Sequence, residues 1–129
     1  MPKENYEKAV AQFVAVLFHA GTITHFMHLQ TKSYAQHKAL GHFYEDIVEL
    51  ADKYAEAYQG CYGLVGKFTA RMDNPRGKGA EAMVAYFEDQ KAYVEKQRKK
   101  LPERSELQND IDAIASLIDS TLYKLRFLS

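Results

Sequence analysis

The sequence is poor in residues that interrupt helices and in residues that staple small folds. Its 129 residues include three prolines, seven glycines, one cysteine and no tryptophan. The single Cys61 excludes an internal disulfide and fits a reducing, cytoplasmic location. The core must therefore come from apolar side chains alone. A single domain covering residues 1–129 is long enough to bury them.

The chain also lacks net charge, because seventeen basic residues balance seventeen acidic ones. Proteins that bind nucleic acids or anionic membranes through bulk charge carry a positive excess, so we expect no DNA binding. The N-terminal residues lack the apolar region of a signal peptide. We also expect no membrane partner, since no uninterrupted apolar stretch approaches the roughly 18–20 residues of a membrane span.

Four stretches show apolar residues at helical spacing, and none shows the period-two alternation of a strand. The pattern predicts helices over about residues 5–30, 34–60, 79–100 and 105–127. A turn of about three residues joins the first two helices, which makes them an antiparallel hairpin. The connection over residues 60–78 is long enough to run the length of a bundle. The predicted architecture is a four-helix bundle with a short hairpin, a long crossover and a second hairpin.

The first predicted helix is apolar on almost every side between residues 12 and 20. A surface helix of a globular protein has a single apolar face. The pattern therefore predicts burial against a second surface besides the bundle, and self-association would provide that surface.

Histidines and carboxylates concentrate on the first two predicted helices. His25 and His37 lie equally far from the predicted turn, so they should face each other across the hairpin. Asp52 and Glu56 are spaced i, i+4 and share one face of the second helix. Each pair also has an ordinary explanation. The histidines could be partly buried and bonded to the backbone or to each other, and the acids could belong to a solvated polar face.

The two pairs are too far apart to meet within one chain. His37 and Asp52 are fifteen residues apart on one helix, which is about 22 Å at 1.5 Å per residue. Two copies of this helix packed antiparallel about a two-fold axis would bring the histidines of one copy to the carboxylates of the other. A site of imidazole and carboxylate suits Fe(II), Mn or Zn.

The spacing of these four residues resembles the intersubunit ferroxidase centre of Dps-type miniferritins. The sequence from His28 to Leu40 is also similar to a group of ferritin-like proteins that tailed bacteriophages encode and whose role is unassigned. The resemblance implies an all-α, ferritin-like four-helix bundle and a homo-oligomer with a dimer as its building unit, assembled into a dodecamer in that family. It implies iron as the cofactor, with Fe(II) oxidised at metal sites shared between two subunits. Iron storage or oxidative protection in a bacterium or a phage-infected bacterium would follow.

The sequence departs from the miniferritin pattern near both histidines. The family has an acid four residues beyond the second histidine, where this chain has Gly41, and a Trp-Asn pair after the first histidine, where it has Phe26 and Met27. Glu45, one turn further on, is a candidate replacement for the missing acid. The alternative function is a non-enzymatic, phage-encoded scaffold or small-ligand-binding oligomer with a degenerate metal site.

Overall fold

The computed structural model describes residues 3–128, and that part of the chain consists of four long helices and no strand. The helices are α1 (Lys3–Gln30), α2 (Tyr34–Tyr62), α3 (Ala80–Gln97) and α4 (Ser105–Phe127), with a 3₁₀ turn at Arg98–Lys100 after α3. All four predicted helices are present, and the all-α class is confirmed.

The turn between α1 and α2 is closed by hydroxyl groups. Ser33 has an extended backbone, and its Oγ accepts a hydrogen bond from Gln36 N at 3.2 Å, which caps α2. The Thr31 hydroxyl accepts from Ser33 N at 3.1 Å and donates to Gln36 Oε1 at 2.5 Å. These local bonds fix a three-residue turn and so force α2 to run antiparallel to α1.

The core lies between the four helices. α1 packs mainly on α2, α2 on α4, and α4 on α3, whereas α1 and α3 touch only slightly. The rings of Phe43 and Phe87 meet edge to face with centroids 4.7 Å apart, and this contact links α2 to α3. The predicted inward faces are confirmed by the largest fully buried side chains, which include Phe13, Leu17, Leu40, Phe43, Ile47, Tyr54, Tyr58, Phe87, Leu107, Ile111 and Ile114.

The crossover, residues 63–79, runs along α1 from one end of the bundle to the other. Gly66 N donates to Glu7 Oε2 at 3.1 Å near the start of α1. Further along, Asp73 Oδ2 lies 3.4 Å from His19 Nε2. The end of the crossover lines a cleft together with the turn between α1 and α2. The observed order is therefore a short hairpin, a long crossover and a second hairpin.

Part of the all-round apolar character of α1 is buried within one chain, on the side along which the crossover runs. Ala15 lines a cleft with crossover residues, and both Ala15 and Val16 are buried. The segment Tyr6–Gln30 is long and apolar enough to cross a membrane by length and composition. This corrects the expectation that no apolar stretch of the chain approaches the length of a membrane span. It is weak evidence for a span, since 61% of its most apolar window is buried in the fold and a core helix passes the same test.

Candidate functional site

The turn end of the α1–α2 hairpin carries a stacked pair of imidazoles. The rings of His28 and His37 have centroids 3.6 Å apart and an interplanar angle of 20°. His28 Nδ1 lies 2.7 Å from the backbone oxygen of His37, and His37 Nδ1 lies 2.8 Å from that of His28. A nitrogen facing a carbonyl must be the donor, so each neutral ring carries its hydrogen on Nδ1 and its lone pair on Nε2. The pair ties the two helices together, and in a neutral ring Nε2 is the nitrogen that could bind a metal.

His28, and not His25, is therefore the partner of His37 across the hairpin, and the predicted facing pair was wrong. The facing pair His28 and His37 is centred between residues 32 and 33, one to two residues later than the centre near residue 31 that the prediction assumed. The exposed His25 stacks on Tyr44 instead, with centroids 4.0 Å apart. Its ring lies 6.0 Å from that of His28. We refer to His25, His28, His37 and Tyr44 as the histidine cluster.

Gly41 lies directly against this cluster. A Cβ atom at position 41 would be 3.1 Å from Cε1 and 3.3 Å from Nδ1 of His28. An imidazole ring thus occupies the space beside position 41, and a larger side chain there would require the ring to move. Glu45, the candidate replacement, is exposed on the surface.

Asp52 and Glu56 form the second group, one turn apart on α2 and both exposed. The hydrogen bond that a protonated Glu56 donates to the Asp52 carboxylate, together with the charge of Asp52, raises the pKa of Glu56 above its ordinary value. Because the two acids lie one turn apart on the same face of α2, their carboxyl groups repel each other when both are charged, and a bound cation would relieve this repulsion. The prediction that these two acids are neighbours is confirmed.

The structure does not bring the two groups together in one chain. Along α2, His37 and Asp52 are separated by about 22 Å. Within residues 3–128 no set of three or more His, Cys, Asp or Glu side chains is arranged to hold a metal ion. Each group is at most half of a metal site. His28 is the member that sequence reasoning missed, and only the exact centre of the turn could have identified it.

Apolar side chains lie exposed on the same face of α2. Tyr34 is 75% exposed and Val48 is 42% exposed. At 100° per residue both lie within about 40° of Asp52 around the helix axis. An exposed stripe that mixes apolar residues with carboxylates is a surface on which a second helix could pack.

Comparison with known proteins identifies relatives but no activity. Residues 28–125 match DUF5856, a family of unknown function. The chain is also similar to an uncharacterised 14.6 kDa protein from the mobD-ri intergenic region of Enterobacteria phage T4, with 36% identity over 52 residues. That match covers 40% of this chain and 41% of the phage protein, so it spans less than half of the relative's length. No solved structure matches the chain.

Proposed function

We propose that this chain, which belongs to the phage-related family DUF5856, is a self-associating, miniferritin-like protein that oxidises Fe(II) at sites shared between two copies. One observation carries the proposal. The histidine cluster at the turn end of the α1–α2 hairpin and the Asp52–Glu56 pair further along α2 are two incomplete groups of candidate metal ligands, too far apart to combine within a chain. An antiparallel contact between two copies of α2 would join each group to its complement on the other copy.

The side chains of both groups fit an iron ion. Neutral imidazoles bind metals through a lone pair, and the Nδ1 contacts of His28 and His37 to backbone oxygens would hold those rings in a fixed orientation. Asp52 and Glu56 would supply carboxylate oxygens, and a proton shared by them would leave when metal binds. The proposed ligands are therefore His25 and His37 from one copy with Asp52 and Glu56 from the other, and His28 is an additional candidate.

The ferritin-like assignment is part of the same proposal. The order of hairpin, crossover and hairpin supports it, because bundles of the ferritin type have one long crossover connection. A dimer is the smallest assembly that completes a site. A dodecamer, the assembly of the resembling family, would enclose a cavity in which oxidised iron could be stored.

The test measures Fe(II) oxidation and molar mass on the same preparation. Purified protein is mixed with Fe(II) in air, Fe(III) formation is followed by absorbance, and light scattering gives the mass. We expect oxidation faster than in buffer by a dimer or a larger assembly, and loss of that activity in His37→Ala and in Asp52→Ala. Glu103→Ala, which removes an exposed carboxylate of the α3–α4 connection that belongs to neither proposed ligand group, should keep full activity.

A mixture of the two inactive variants gives the sharpest result. A mixed dimer of His37→Ala and Asp52→Ala contains one damaged site with neither group and one intact site with both. Unfolding and refolding the variants together should therefore restore part of the activity, whereas either variant alone should stay inactive. Oxidation at the protein-free rate, or an active mixture that contains only monomers, would refute the shared site.

A second function, a non-enzymatic scaffold or small-ligand-binding oligomer, is favoured by the surroundings of Gly41. The His28 ring fills the place of the missing acid, and its Nδ1 atom serves to join α1 to α2. Histidines in this arrangement stabilise the hairpin without any metal. A stable oligomer that does not accelerate Fe(II) oxidation, and in which His37→Ala lowers only the stability, would support the scaffold.

A further inference from the structure

Polar and charged side chains of the crossover line a cleft beside α1, whereas its large apolar side chains are exposed to solvent. Lys67, Thr69 and Arg71 line a cleft of about 690 Å³ between the crossover and α1. Phe68 and Met72 do not line this cleft and are 44% and 94% exposed. Alternate side chains of an extended segment point to opposite sides. A segment that merely packed on the bundle would direct its apolar residues inward and its cations outward.

Two contacts hold the crossover at the ends of this stretch. Gly66 N donates to Glu7 Oε2 at 3.1 Å, and Asp73 Oδ2 lies 3.4 Å from His19 Nε2. Among the described residues, the intervening 67–72 form no hydrogen bond or ion pair with α1. The cleft therefore lies between two fixed ends of the crossover, and the side chains that residues 67–72 contribute to it make no hydrogen bond or ion pair with the described part of α1.

The lining of the cleft carries a local surplus of positive charge. Lys8, Lys67 and Arg71 form no ion pair in the part of the chain that the structure describes. The acid on this surface is Glu7, whose carboxylate accepts the Gly66 N–H. The chain as a whole has zero net charge, so this local surplus is balanced by acidic residues elsewhere. The rest of the lining consists of Ala11, Gln12 and Ala15.

We propose that this cleft binds a small phosphate ester. Ammonium and guanidinium groups, together with the Thr69 hydroxyl, are the donors that phosphate oxygens require. The volume of about 690 Å³ falls in the range of roughly 300–1,000 Å³ for small-molecule sites, which a phosphate group alone would not fill. Ala11 and Ala15 leave room for the organic part. The site lies on α1 and the crossover, so it is independent of the iron chemistry proposed for α2.

Calorimetric titration with adenosine 5′-monophosphate (AMP) tests this assignment. We expect saturable binding that weakens as the NaCl concentration rises. Lys67→Gln and Arg71→Gln should each weaken binding about tenfold, because each removes one charge-assisted contact. Lys78→Gln is the matched control, since Lys78 is an exposed lysine of the same crossover that does not line this cleft, and its affinity should be unchanged.

Inorganic phosphate and a single-stranded oligonucleotide separate the sources of the phosphate group. If AMP binds more tightly than inorganic phosphate and more tightly than the oligonucleotide, the proposal is supported. Phosphate bound as tightly as AMP overturns the requirement for an organic part, and a tighter oligonucleotide reassigns the surface to nucleic acid. No saturable binding of AMP, or equal weakening in all three variants, overturns the site. In the unsubstituted protein, AMP should shift the backbone amide NMR signals of residues 67–71, and shifts confined to other regions would refute the location.

Discussion

Replacing glycine by alanine should change the free energy of unfolding in opposite directions at two positions of α2, Gly41 and Gly60. Alanine is more favourable than glycine inside a helix by about 0.5–1 kcal/mol, because glycine loses more backbone freedom on folding. No atom lies within 4 Å of a Cβ added at Gly60, so Gly60→Ala should retain this gain. A Cβ added at Gly41 would lie 3.1 Å from Cε1 and 3.3 Å from Nδ1 of His28. Whether Gly41→Ala raises or lowers the free energy of unfolding depends on whether the His28 ring can move.

The ring of His28 is held from two directions. Its Nδ1 lies 2.7 Å from the backbone oxygen of His37, and its face stacks on the His37 ring at 3.6 Å. Displacing it would weaken a hydrogen bond of about 1 kcal/mol and a ring contact of about 0.5–1.5 kcal/mol. This loss exceeds the helix gain. Gly41→Ala should therefore lower the free energy of unfolding by about 1 kcal/mol, whereas Gly60→Ala should raise it by about 0.5–1 kcal/mol.

Urea unfolding followed by circular dichroism measures both effects, and a double-mutant cycle isolates their cause. In a His28→Ala background the ring is gone, so Gly41→Ala should become stabilising. If Gly41→Ala stabilises the unaltered protein as much as Gly60→Ala, the reasoning fails. The His28 ring would then not be what excludes a side chain at position 41, and the physical explanation for the missing acid would be lost.

Three further outcomes are expected. Gly21→Ala should lower the free energy of unfolding by about 1–3 kcal/mol, because the new Cβ would lie 2.9 Å from Cγ2 of Val48. Adding Val48→Ala should restore part of this loss in thermal unfolding. No restoration would contradict the close approach of the two side chains. Phe87→Ala should cost about 3–5 kcal/mol in urea unfolding, since the Phe87 side chain is fully buried, and a loss below 1 kcal/mol would be inconsistent with that burial. Carbon NMR titration should show a raised pKa for Glu56 that falls in Asp52→Asn, because Asp52 supplies both the hydrogen bond and the repulsion. Between the ordinary pKa of a glutamate and this raised pKa, the native state holds a proton that the unfolded chain has released. The free energy of unfolding should therefore fall as the pH rises through that window, and Asp52→Asn should remove this slope.

The helices and their apolar faces could be predicted because they depend on residues within a few positions. Helical spacing places Leu107, Ile111 and Ile118 on one side of α4, and residues on one side of a helix are buried together whichever element covers them. The same periodicity made Asp52 and Glu56 neighbours. The cap of α2 is equally local, because Ser33 accepts a hydrogen bond from Gln36 N only three residues away.

The contacts across the helices could not be predicted in this way. A shift of one to two residues in the centre of the turn replaces His25 by His28 as the partner of His37, and helical spacing within either helix does not report that centre. Which part of the chain lies along the second side of α1 likewise depends on the path of the crossover. Contacts between residues far apart in the chain, such as Gly66 and Glu7, hold the crossover in place. Local chemistry alone determined where the helices are and which sides avoid water. Which side chains meet was decided by tertiary packing, because that outcome balances many weak contacts between distant segments.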